Sequence, residues 1–326
     1  MNGLKASVII PAYNEENSIK ECILALQNQT RKPFEIILAD DGSFDNTVEI
    51  AETFSEIKIL KQKNRGPAVA RNCGAKIAKG EIIVFIDADC VAEKNWLEEM
   101  LKPFESREIA GVQGRYKTNQ KELIARFSQI EIEERYERLS KEKYIDFIGS
   151  YSAAYRKGVF EKFNGFDEKF PVASGEDPDL SFRIAEKGYK LVFNPNAIVY
   201  HTHQTSLAKY LKTKFFRAYW RILLYKKHPE KMAKDSYTPQ TLKAEIACLI
   251  MAILAGILGI FFSIKELFLV SEALIILIFI LNLKFLLFAI KKDWQIALLS
   301  LVVIPLRTIS FSLGLAAGIL SGVAQK

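Results

Sequence analysis

Eleven aspartates supply two D-x-D triplets, Asp87-Ala88-Asp89 and Asp177-Pro178-Asp179. Chance alone gives roughly 0.4 such triplets in a chain of this composition, so neither identifies a site by itself. Crowded carboxylates raise one another's pKa unless a cation or hydrogen bonds compensate. A hard divalent ion with oxygen ligands, Mg2+ or Mn2+, is the usual remedy, and it often bridges such a site to substrate phosphates. The second triplet lies in "GEDPDL" and admits another use. Pro178 suits the first helical position, Asp179 in the first turn suits the helix dipole, and Asp177 stands where a cap belongs. A carboxylate held at a helix start by a proline is also placed to act as a base, with the dipole expected to lower its pKa.

The elements that must position these groups are legible. Residues 6–13, 34–39, 57–61 and 81–86 are short, mostly apolar runs that read as strands, the first of them buried. Helical patterns separate them at 18–27, 46–54 and 68–78, the first opened by an expected capping box, Ser18 with Glu21. Apolar rather than alternating strands, each followed by a helix, imply a parallel sheet covered on both faces. Ligands of such sheets gather at the carboxyl ends of the strands. Strand one ends in Pro11-Ala12-Tyr13-Asn14-Glu15, strand two in Asp40-Asp41-Gly42-Ser43, strand four in Asp87-Ala88-Asp89. Acidic groups from three strands therefore converge on one edge. Beyond residue 110 a strand is expected at 110–117, a charged helix at 121–143, extended chain at 146–156, a helix at 178–187 and a strand at 190–200. Each acidic piece also has a plain reading, as a turn or a loop before a helix; placed together at one edge, the plain readings lose ground.

"PAYNEENSI", "ADDGSFDNT", "NRGPAVARNCGAKIAKGEIIVFIDADC", "FNGFDE" and "GEDPDLSFRIAEKG" occur here in that order. The string, over about residues 5–204, resembles family 2 glycosyltransferases with the Rossmann-like GT-A fold. The resemblance implies transfer of a sugar, with inversion, from a nucleoside-diphosphate sugar, using Mg2+ or Mn2+. It assigns Pro11, Tyr13, Glu15 and Asp41 to the nucleoside, Asp87 to the ribose side and Asp89 to the metal. Asp40, Asn64, Arg71 and Asn72 fall in the same donor motifs. Asp177, with Glu176 beside it, matches the catalytic base. Gly165, Phe166, Asp167 and Arg183 fall in the motifs expected on the acceptor side. His201 follows the last strand and is expected to complete the metal shell, although a structural histidine fits there equally.

The physics agrees with these implied roles. A cation neutralises the departing diphosphate, with Arg71 or Arg65 in reach to assist. Inversion in one displacement needs the acceptor hydroxyl deprotonated from the opposite face, so the base belongs on a different element from the metal carboxylates.

The chain changes character after residue 206. Residues 207–234 carry nine Lys/Arg against Glu230 alone, with Leu207, Leu211, Phe215, Tyr219 and Leu223 at helical spacing. That segment, within 207–244, reads as a basic amphipathic helix at a membrane surface. Residues 246–264, 267–290 and 294–320 then form three apolar stretches, each long enough to cross ~30 Å of hydrocarbon. The expected division is therefore a glycosyltransferase domain over 1–206, an interfacial segment over 207–244 and a membrane domain over 245–326. The basic segment and Lys291-Lys292 fall on one side if the first domain is cytoplasmic and the C-terminus outside. Arg307, in the third stretch, is expected to pair with Glu272, to meet a lipid phosphate or to snorkel.

No cleavable leader is read before the first strand, and the four cysteines show no metal spacing and read as reduced, buried thiols. A net charge of +7, concentrated beside the apolar tail, suits anionic lipid and phosphorylated substrates rather than nucleic acid. Processive relatives carry a Q/R-x-x-R-W motif where this chain has Phe216-Arg217-Ala218-Tyr219-Trp220, so one sugar is expected per acceptor encounter. The expected acceptor is a hydroxyl of a lipid-linked saccharide or glycolipid at the cytoplasmic membrane face. Two alternatives stand beside it: transfer to a polyprenyl phosphate, which needs no base, and a catalytically silent membrane scaffold. Oligomeric state is not legible.

Overall fold

The computed structural model describes residues 3–170, 175–233, 235–236 and 238–322. The apolar runs become β1 (Ala6–Ala12), followed by α1 (Ile19–Gln27), β2 (Glu35–Asp40), α2 (Thr47–Glu52), β3 (Ile57–Lys61), α3 (Pro67–Ile77) and β4 (Ile82–Ile86). Then come β5 (Cys90–Ala92), α4 (Trp96–Leu101), β6 (Ile109–Lys117), α5 (Leu123–Leu139), β7 (Ser152–Arg156), α6 (Lys157–Lys162), α7 (Glu176–Glu186) and β8 (Lys190–His201). The chain ends in α8 (Leu207–Lys227), α9 (Pro229–Ala233), α10 (Gln240–Phe262), α11 (Lys265–Leu281), α12 (Leu283–Lys292) and α13 (Trp294–Leu320).

The chain divides into two compact units, Met1–Asn119 with Tyr136–Thr202, and Gln120–Arg135 with His203–Lys326. The first holds an eight-stranded sheet in the order β3-β2-β1-β4-β7-β6-β8-β5. Strands β3, β2, β1 and β4 run parallel, as continuous apolar strands require when both faces are covered. Strand β7 is antiparallel to both β4 and β6, β6 and β8 are parallel, and β5 returns antiparallel to β8. Every residue of β2 and of β4 is buried. One face packs under α1 and α4, where Ile19, Cys22, Ile23, Leu26, Trp96 and Leu97 join the strand residues in one cluster. The parallel half thus carries its acidic strand ends to one edge, as the alternation of elements implies.

Three local expectations need correction. Ser18 is the N-cap of α1 but makes no capping hydrogen bond; its hydroxyl is turned toward Glu15 and donates to Oε2 at 2.6 Å. Helix α7 begins at Glu176 with Gly175 as N-cap, so Asp177 and Pro178 occupy the second and third helical positions. Proline is still tolerated there, because the first four N–H groups of a helix have no partner within it. Of the four thiols, Cys73 is only half-buried.

In the second unit α10 and α13 are long and apolar enough to cross a membrane. The expected single span over 267–290 is broken instead: α11 and α12 meet at a 46° bend and count as a third span only if taken together. Asn282 lies at the break, its side chain donating to the Ile278 carbonyl at 2.8 Å and accepting from Arg307 at 3.3 Å. Such side-chain bonding to the preceding turn competes with the helix ladder. Helix α8 lies along α13: Ser310 Oγ donates to the Leu211 carbonyl at 2.7 Å, and a Cβ on Gly314 or Gly318 would meet the Phe215 or Tyr219 carbonyl at 2.2 or 2.7 Å. Small residues every fourth position let the two backbones approach.

Arg307 pairs not with Glu272 but with Glu245 at 2.9 Å and Glu131 at 3.1 Å. Lys214 reaches Glu131 at 2.5 Å and Thr308 donates to Glu245 at 2.8 Å. Two cations and two anions thus share one buried network drawn from α5, α8, α10 and α13.

Candidate active site

The site grows from the carboxyl ends of β1, β2 and β4. After β2, Asp40 turns back on its own chain, its carboxylate accepting from the backbone of Gly42 at 3.2 Å and of Ser43 at 3.3 Å. Asp41 reaches the loop before α3: Oδ1 accepts from Gln62 at 2.6 Å and the Arg65 N–H at 2.9 Å, and Oδ2 from the Gly66 N–H at 2.8 Å. Gly42 has φ +81°, and a Cβ there would lie 2.9 Å from the Asn64 nitrogen, so the turn requires glycine. After β1, Asn14 also takes positive φ; its N–H donates to Ser43 Oγ and its side-chain Oδ1 accepts from the Phe44 N–H. Tyr13 and Phe44, 45% and 82% exposed, meet edge to face with ring centroids 6.1 Å apart. Pro11 is half-buried within β1, and Asn64 is exposed on its loop.

The carboxylates converge. Burial, and then the nearby charges of Asp89, Asp87 and Asp45, raise the Glu15 pKa against the opposing Ser18 hydrogen bond. Asp89 Oδ2 lies 3.1 Å from His201 Nε2, brought there by the β5–β8 pairing that sets Cys90 opposite His201. Burial alone would raise Asp89, but the hydrogen bond and charge of His201 hold it below the ordinary carboxylate range. The His201 ring is backed by Tyr116, 4.5 Å away, which stacks in turn on Tyr151 at 3.6 Å. Asp89 and His201 present an oxygen and a nitrogen side by side, and among the described residues no cluster of three or more His, Cys, Asp or Glu is placed to hold an ion. Such a pair suits an ion that completes its shell with substrate phosphate and water, as Mg2+ does.

Asp87 faces the other way. Its Oδ1 accepts from Arg71 Nη2 at 2.9 Å, and Arg71 Nη1 donates to Glu176 at 3.1 Å. Beside Glu176, Asp177 Oδ2 accepts from both the N–H and the hydroxyl of Ser150, at 3.0 and 3.1 Å, whereas Oδ1 is shut from solvent with no hydrogen-bond partner. Burial first, then the charge of Glu176, push the Asp177 carboxyl up to about 7 despite Arg71 and the Ser150 N–H. The dipole was expected to lower this pKa; burial and the neighbouring carboxylate win.

The remaining expected residues are mostly braces. Asn72 exchanges two hydrogen bonds with the backbone of Phe166, at 2.8 and 2.9 Å, so its amide is engaged away from the donor motifs. Phe166 is buried against Phe85 and Phe160, which places its ring in the core. Arg183 donates to the carbonyls of Phe163 and Gly165 and pairs with Asp179 at 2.9 Å. Asp167 caps its own turn, accepting from the Lys169 N–H at 2.9 Å. The residues that sequence reasoning missed are Ser150, Asn14, Gln62 and Tyr116. Of these only Asn14 carried a signal, since asparagine in a strand-end turn tolerates positive φ; the others depend on long-range contacts.

A family model described as glycosyl transferase family 2 matches residues 7–163. The chain is 30% identical over 232 residues to an uncharacterised glycosyltransferase, EpsJ, of Bacillus subtilis, covering 64% of this chain and 67% of that one. It is 26% identical over 270 residues to the pre-mycofactocin glycosyltransferase of Mycobacterium tuberculosis, and spans 56% of that relative's length. Among solved structures, the mannosyltransferase PcManGT from Pyrobaculum calidifontis, in complex with GDP-Man and Mn2+, superposes with a TM-score of 0.62 at 19% identity, over 100% of this chain and 89% of that one. GalNAc-T7 with UDP, GalNAc and Mn2+ gives 0.51 at 21% identity, over 74% and 53%. At these identities the likenesses speak for the fold alone, and it is the GT-A fold. With that fold, these motifs on its strand ends and a relative matched across two thirds of its length, the chain belongs to glycosyltransferase family 2.

Proposed function

We propose that this glycosyltransferase is membrane-bound and metal-dependent, and moves one sugar with inversion from a nucleoside-diphosphate sugar to a hydroxyl of a lipid-linked saccharide or glycolipid. The observation that carries the reading is the Asp177 carboxylate: one oxygen fixed by Ser150, the other buried and unpartnered, and a pKa near 7. An acceptor hydroxyl would supply the missing donor, and its proton would pass to Asp177 as the oxygen attacks the anomeric carbon. The bond from that carbon to the diphosphate oxygen breaks, and the nucleoside diphosphate leaves with the electron pair. In this reading Asp41, Tyr13 and Glu15 hold the nucleoside, and Asp87 the ribose. Asp89 and His201 would hold Mg2+ or Mn2+, whose charge offsets that of the leaving diphosphate; the solved relatives named above carry Mn2+. Helices α10 and α13 support attachment to a membrane, and the basic content of α8 and Lys291-Lys292 supports a cytoplasmic catalytic unit.

Asp177→Asn tests the reading on the full chain in detergent. Thermal stabilisation by UDP-, GDP- and dTDP-sugars with Mn2+ reports donor binding independently of turnover. The expected result is donor binding within about twofold of wild type and turnover reduced by about 100-fold or more, the range of general-base losses. Retained turnover would instead favour an acceptor that is already an anion, such as a polyprenyl phosphate. No turnover by the wild type with any donor would favour the silent scaffold.

A further inference from the structure

Arg71 was expected beside the diphosphate, yet both ends of its guanidinium are taken. Nη2 donates to Asp87 at 2.9 Å and Nη1 to Glu176 at 3.1 Å. The side chain is buried, lies 5.7 Å from the centroid of the Phe166 ring, and its Nε meets no acceptor. Three elements therefore meet at one cation: α3, the end of β4 and the first turn of α7. A guanidinium is a planar, fixed fork, so contacts at both ends set the separation and angle of the two carboxylates. A diphosphate ligand would need those same ends free.

Resting on the base assigned above, we propose that Arg71 is a positioning residue that ties the donor-side carboxylate Asp87 to the Glu176-Asp177 turn and so holds the base in register with the bound sugar. It is not a diphosphate ligand. The charges around it fit that role, because Asp87, Asp177 and Glu176 all act on this one guanidinium. The groups that face Asp177 are Glu176 on its own helix, Arg71 from α3, Asp87 from the end of β4, Ser150 from the segment before β7 and the buried phenol of Tyr155 on β7. Without Arg71, Asp87, Glu176 and Asp177 would lose the cation they share. Lysine keeps the charge but loses the fork, so it serves one carboxylate at a time.

The test uses the full chain in detergent, with Arg71→Lys, Arg71→Met, Asp177→Asn and the Arg71→Met/Asp177→Asn double variant. Turnover is followed with the sugar nucleotide that gives the largest thermal shift, and binding by calorimetry with UDP or GDP plus Mn2+. Arg71→Met is expected to lower kcat by about 100-fold and Arg71→Lys by about 10-fold, with nucleotide affinity changed less than about threefold. In both variants the acid limb of the kcat/KM profile moves to higher pH, a change that general loss of structure does not produce. In the Asp177→Asn background, Arg71→Met adds less than about a threefold further loss, because the two act as one unit. Reduced nucleotide affinity with an unmoved acid limb, or fully additive losses, would overturn the proposal. If Arg71→Met does not fold, Arg71→Lys carries the same affinity and pH readouts. An active Asp177→Asn would overturn the base assignment and this proposal with it. An inactive Asp177→Asn with an unmoved acid limb in the Arg71 variants would overturn this proposal alone.

Discussion

Asp177 is under two opposing demands, and the sign of each can be worked out. Its native pKa is raised to about 7, whereas an unfolded aspartate titrates near about 3.9. Between those values the native state binds more protons than the unfolded state, so stability falls as pH rises. The contribution is intact below about 3.9 and fully lost above about 7. Asp177→Asn is therefore expected to melt above wild type at pH 8, with the gap closing as pH falls toward 4, measured by thermal unfolding without ligand. Activity runs the other way: kcat/KM should rise through an inflection near 7, since a base must first lose its proton. Ser150→Ala removes the hydroxyl but keeps the N–H bond to Asp177. That change should lift the inflection and lower kcat by about three- to tenfold, in line with one hydrogen bond to a charged group.

At the scale of elements, the strand-end turns carry the proposed donor site, and Gly42 is the most exacting residue in them. Its φ of +81° and the 2.9 Å approach of Asn64 leave no room for a side chain. Gly42→Ala should cost about 1–3 kcal/mol, seen as a lower Tm, and should weaken UDP or GDP binding because the Asp41 loop shifts with it. Elements were legible where the pattern repeats: four mostly apolar strands and the helices between them fix the sheet edge, and with it Asp41, Asp87 and Asp89. The three-residue β5 and the six-residue α4 and α6 escaped because so few positions cannot display a period. Cap chemistry misled for a different reason. Ser18 and Asp177 are plausible caps by residue type, but Ser18 turns to Glu15 three residues back, and Asp177 is claimed by Ser150, 27 residues away. A hydrogen bond to a group far away in sequence leaves no local signature.

Across the whole molecule, the second unit is not a simple C-terminal tail, because it recruits Gln120–Arg135 from the middle of the chain. The sequence displayed the apolar stretches but not this crossing, since α5 reads as one more charged helix. Its apolar residues Ile124, Phe127 and Ile130 are buried in a cluster with Tyr210, Cys248, Ile278, Phe285 and Ile296. Arg126 reaches Asp293 and Glu131 meets Lys214 and Arg307, so the same helix also closes the charge network. A chain cut after residue 206 strips away both kinds of partner at once. Each of the three apolar side chains loses about 1.5–3 kcal/mol of burial, and together they form an exposed apolar patch of the kind that drives association. The truncated chain is therefore expected to elute as aggregate on size exclusion without detergent, although its eight strands are all retained. Replacing Ile124, Phe127 and Ile130 by Gln, Lys and Gln should return it to a monomer that still binds UDP or GDP with Mn2+. A truncated, unsubstituted chain that ran as a stable monomer would mean that the apolar face of α5 does not need the helices after residue 206 to stay out of water.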